Sequence, residues 1–128
     1  MKRDLDLCRE ILRQIEESPY SAGPSIEVKD RSAEEISYHT KLLAEAGFIE
    51  AGSAGGQFVS DDVTVVRGLK VYSPISLTWQ GHEFLDAARN DTLWNEAKHE
   101  VGSRLGAIPF ELVQAVLVDL GRKLVGLG

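Results

Sequence analysis

Three histidines, one cysteine and an Asp61-Asp62 pair are the side chains through which this chain could do chemistry, and their spacing brings no reacting set together. His39, His82, His99 and Cys8 lack the short Cys/His intervals of a zinc site, so no metal is expected. His82 precedes Glu83 within a helical stretch, where adjacent residues do not share a face and make a poor acid–base pair. His39 falls on the apolar side of its helix and reads as a core-edge histidine with a satisfied ring nitrogen; His99, between Lys98 and Glu100, reads as exposed. Asp61-Asp62 reads as a turn or solubility feature. The glycine-rich GSAGGQ at 52–57 lacks the Lys-Ser/Thr ending of a P-loop and does not open a helix, so it is not a phosphate cradle. No GxSxG elbow is present. No catalytic residue and no cofactor are expected, and the chain reads as a non-enzyme.

The elements that would position a binding surface are more legible. Leu5, Cys8, Leu12 and Ile15, with Ile11 beside them, make one apolar stripe and predict a helix from about Arg3 to Glu17, with Asp4 and Asp6 in its first turn. Ser18-Pro19 stops it. Ile26-Glu27-Val28 alternates in the manner of a short strand. Ser32 and Glu35 have capping-box spacing and open a second helix, with Ile36, His39, Leu43 and Ala46 on one side and Glu34, Ser37, Tyr38, Lys41 and Glu45 on the other. Gly47 stands where a C-terminal glycine belongs, and Phe48–Ala51 reads as a strand. After the connection at 52–57, FVSDDVTVVRGLKVYSPISLT predicts one or two hairpins ending in a strand at Ile75–Thr78.

A helix from about Trp79 to Asn90 follows, with Phe84, Leu85 and Ala88 inward. Asp91 is positioned to cap another through Trp94, Ala97 and Val101 to about Leu105, and both tryptophans are expected to bury their rings among the last three helices. Pro109 suits the first turn of a final helix running to about Val125, whose apolar face is Phe110, Val113, Val116, Leu117, Leu120 and Leu124. Val118 and Val125 lie roughly opposite that face, as stray valines or as an oligomer interface.

Length, composition and charge bound the rest. At 128 residues with 43% hydrophobic and 27% charged side chains, the chain fits one globular domain. No apolar run reaches the roughly 20 residues of a membrane span, so no membrane partner is expected. One cysteine permits no internal disulfide, which suits a cytoplasmic setting. The net charge of −6 argues against indiscriminate phosphate binding. Between 32 and 51, Lys41 stands against four glutamates; between 52 and 77, Arg67 and Lys70 balance Asp61 and Asp62.

The stretch YHTKLLAEAGFIEA resembles the recognition helix and wing of winged-helix proteins, and ISLTWQGHEFLDAAR resembles the returning wing strand and the helix after it. Over most of its length the chain also resembles the bacterial and phage family known as domain of unknown function 2513, through MKRDLDLCREILRQIEE, EEISYHTKLLAEAGFIEA and LTWQGHEFLDAARNDTLWNEAK. These resemblances imply an α+β, winged helix-turn-helix-like fold with a short β-hairpin wing, two or three extra C-terminal helices and a tie to mobile elements. Residues 1–90 would form the core and 91–128 a helical extension packed on it, one structural domain overall. In that arrangement Ser37, Tyr38 and Lys41 would face the major groove of double-stranded DNA, with Arg67 and Lys70 on backbone or minor groove. The other partners that fit are a second copy, through Val118 and Val125, or a different protein docked on the same fold. One departure stands out: Lys29-Asp30-Arg31 alone separates the short strand from the capped helix, so the helix that normally precedes a recognition helix is missing or compressed into the first turn.

Overall fold

Helix α1 (Leu5–Glu17) opens on Asp4, whose carboxylate accepts a hydrogen bond from the Leu7 amide at 3.1 Å. Asp4 is therefore the cap, with extended backbone angles, and not a first-turn residue as the pattern suggested; Asp6 alone of the pair sits in the first turn. The buried face is Leu5, Leu7, Cys8, Ile11, Leu12 and Ile15. Ser18 ends the helix in an extended conformation, its hydroxyl donating to the Gln14 carbonyl at 2.9 Å.

These coordinates come from a computed structural model, which describes residues 1–19, 24–54, 71–105 and 109–126. Residues 24–28 form no regular element, so the short strand expected at Ile26–Val28 is absent, and the Glu27 backbone is met by a side chain instead. The Gln14 amide donates to the Glu27 carbonyl at 2.8 Å and accepts from the Glu27 N–H at 3.2 Å, as a neighbouring strand would. A turn follows in which the Arg31 N–H reaches the Val28 carbonyl at 3.2 Å and Asp30 adopts φ 64°. Aspartate is among the few side chains that tolerate this left-handed region. Residues 24–31 contain no helix, so the expected departure from a helix-turn-helix holds across them.

Helix α2 (Ala33–Glu45) carries a complete capping box: the Glu35 N–H donates to the Ser32 hydroxyl at 3.0 Å, and the Ser32 N–H to the Glu35 carboxylate at 3.3 Å. It ends as its glycine requires. Gly47 sits at φ 83°, the Phe48 N–H returns to the Leu43 carbonyl at 3.0 Å, and the Gly47 N–H to that of Ala44 at 3.1 Å. That bond pair is a Schellman motif, and it turns the chain directly into a strand. The buried residues are His39, Thr40 and Leu43. Ala46, assigned to the inner side by spacing, is exposed, while Thr40 is buried with its hydroxyl on the Ile36 carbonyl at 2.7 Å.

Strand β1 (Ile49–Ala54) pairs antiparallel with β2 (Val71–Leu77), from Ile49 opposite Leu77 to Ala54 opposite Val71. Glu50 faces Ser76 and Ala51 faces Pro74, which leaves Ile75 as the extra residue of a bulge. A bulge is where a strand can hold a proline, since proline cannot donate to the ladder. Gly52, Ser53 and Ala54 belong to β1 and not to the connection expected at 52–57; β2 in turn begins four residues before the expected Ile75. Residues 55–70, with Arg67, Lys70, Asp61 and Asp62, lie outside the described residues.

Thr78 joins β2 to helix α3 (Trp79–Ala88). Its N–H donates to the Phe48 carbonyl at 3.0 Å, its hydroxyl donates to the Gly47 carbonyl at 2.5 Å, and the same oxygen accepts from the Gly81 N–H at 3.1 Å. Helices α4 (Asp91–Leu105) and α5 (Phe110–Leu124) complete the α+β architecture. The chain divides into two compact units, Met1–His82 and Glu83–Gly128. In the first, α1 and α2 pack on each other and on β2, over a core that includes Ile11, Leu12, Leu43, Phe48 and Ile49.

In the second unit α4 packs on α5. Phe84, Leu85 and Ala88 are buried as expected, and the Phe84 and Trp94 rings meet edge-on with centroids 6.0 Å apart. Lys98 lies over the Trp94 ring at 5.4 Å. Trp79 does not join them: it is 79% exposed, because the first position of α3 points its side chain away from the Phe84–Leu85–Ala88 face. Asn90, not Asp91, caps α4, its side-chain oxygen accepting from the Leu93 N–H at 3.1 Å. Pro109 occupies the cap of α5, one residue before the first turn. That helix buries Val113 and Leu117, half-buries Val116 and Leu120, and leaves Leu124 68% exposed beyond the end of its packed stretch.

Candidate nucleic-acid interface

Ser37, Tyr38 and Lys41 lie within little more than one turn of α2, each neither buried nor fully exposed. Tyr38 meets the His39 ring edge-on at 5.7 Å, which holds the phenol against the helix surface. The Lys41 ammonium lies 3.6 Å from the Glu45 carboxylate one turn on. Glu34 and Glu45 are exposed on the same helix. The outward side of α2 thus offers a hydroxyl, a phenol and one compensated cation. Arg67 and Lys70, the other two expected contacts, fall outside the described residues.

The best-defined polar cluster sits at the N-terminal ends of α1 and α2, and spacing alone did not reveal it. Arg31 makes an ion pair with Asp4 and a second with Glu35 at 3.3 Å. His39, 1% exposed, uses both ring nitrogens: Nε2 accepts the Asp4 N–H at 2.9 Å and Nδ1 donates to the Glu35 carbonyl at 2.7 Å. That tautomer is assigned from the hydrogen bonds. The expectation of a satisfied core histidine is met, and no ring nitrogen is left for a ligand. His82 and His99 are exposed, and no group of three potential metal ligands occurs among the described residues. Cys8 is buried; loss of solvation, helped by the charge of Asp4, pushes its thiol up to about 12, which makes it a poor nucleophile.

The cluster carries a pH dependence. Partial burial pushes the Asp4 carboxyl up, but hydrogen bonds from Arg31 and the Leu7 amide, with the charge of Arg31, outweigh it and hold the group below its ordinary value. Glu35 is held down chiefly by the Ser32 N–H and then by Arg31. A carboxyl depressed in the folded state binds more protons when unfolded. The stabilisation is therefore present above the unfolded value and lost as pH falls through the folded one. The urea midpoint should decline as pH drops from about 5 toward 3, and more gently in Asp4→Asn, which retains a capping oxygen without the charge. An Asp4→Asn profile parallel to wild type would remove Asp4 from the account.

Residues 2–107 match the family model described as "Hypothetical protein (DUF2513)". The chain belongs to this family. As a DUF2513 member it is similar to an uncharacterized protein of Haemophilus influenzae, at 35% identity over 118 residues that cover 91% of this chain and 92% of the other. No solved structure matches it. The DUF2513 match takes in α1 through α4 and leaves α5 outside its limits. Among the described residues no helix is long and apolar enough to cross a membrane.

Proposed function

We propose that this DUF2513 chain is a non-enzymatic, winged-helix-type domain that binds double-stranded DNA, with α2 turned toward the major groove and the β1–β2 hairpin beside it as the wing. One observation carries the reading. Helix α2 passes through the Gly47 turn straight into an antiparallel pair, with Ser37, Tyr38 and Lys41 on its outward side. A cytoplasmic regulator of transcription, of the bacterial and phage kind the family resemblance implies, accords with such a surface.

Charge sets the strength. With Lys41 already compensated by Glu45 and a net charge of −6, two or three phosphate contacts per copy are the most the surface offers. Arg67 and Lys70 would supply the others, and a homodimer would double them. Fluorescence anisotropy with mixed-sequence duplexes at low salt tests this. The logarithm of the binding constant should fall with the logarithm of salt at a slope of about −2 to −3, and Lys41→Ala should flatten that slope by about one. No binding at about 50 µM protein in low salt would refute the proposal.

A second reading has its own observation. Trp79, 79% exposed, and Ile75, 42% exposed, flank the end of β2 in the first unit, and such side chains more often anchor protein partners than phosphates. Under that reading the same fold is a protein-interaction module, duplex binding is absent, and Trp79→Ala removes partner binding while Lys41→Ala leaves it intact.

A further inference from the structure

We draw no further inference here: the strongest candidate, the exposed side of α5 that carries Val118 at 47% exposure and Val125 at 66% just past the last turn, is an unpartnered helix face, and nothing in the structure shows what covers it.

Discussion

Gly81→Ala should lose at least about 3 kcal/mol of folding stability, the largest effect expected of an added methyl group at any of the described glycines. A Cβ at residue 81 would stand 2.0 Å from the Phe48 carbonyl oxygen and 3.0 Å from the carbonyl carbon. Both are backbone atoms, and neither is free to move. The Phe48 carbonyl is engaged by the Thr78 N–H, and Thr78 binds Gly47 and Gly81 through its hydroxyl. Relieving the clash means parting the first turn of α3 from the start of β1 and breaking that set of bonds together. With a urea dependence of about 1–3 kcal/mol per molar, the midpoint should fall by about 1 M or more. Gly121→Ala is the contrast: no atom lies within 4 Å of its Cβ, and the helix should gain up to about 1 kcal/mol. A Gly81→Ala protein that unfolds within about 1 kcal/mol of wild type would mean that α3 and Phe48 are not in this contact.

His39→Leu should lose about 2–3 kcal/mol, and for a reason that can be told from lost packing. Leucine fills much of the same volume on a buried face but cannot accept the Asp4 N–H. That N–H sits at the cap of α1, where the carboxylate of the same residue receives the Leu7 amide and Arg31. The loss should therefore appear locally as well as globally. Amide exchange at Asp4 and Leu7 should accelerate ahead of global unfolding, whereas the amides at the Gly47 turn should keep their protection relative to the global value. Uniform acceleration across both sites would mean that His39 contributes through volume alone.

How legible these positions were depended on how far apart in sequence their partners lie. The Ser32–Glu35 box, the Gly47 terminus and the Phe84–Leu85–Ala88 face were readable because each depends on residues within one or two helical turns. The errors at Asp4, Asp91 and Pro109 were shifts of one position between cap and first turn, where several side chains can serve and the surrounding packing chooses. Trp79 was misplaced for a related reason. Its apolar character argued for burial, but at the first position of α3 it is the helix's rotation that governs, and the rotation follows Phe84 and Leu85. Of the expected DNA contacts, Ser37, Tyr38 and Lys41 could be read off one helix; that Lys41 is paired with Glu45 was implicit in their four-residue spacing.

The sequence by itself determined the five helices found among the described residues and the helix signals of α2, because periodicity and capping are short-range properties of neighbouring residues. The tertiary structure alone decided that Gly81 must lack a side chain, that Arg31 and His39 tie the starts of two helices together, and that Gln14 stands in for a strand beside Glu27. Those contacts join residues between 13 and 35 positions apart, and local pattern carries no record of which distant backbone group a side chain will meet once the helices pack.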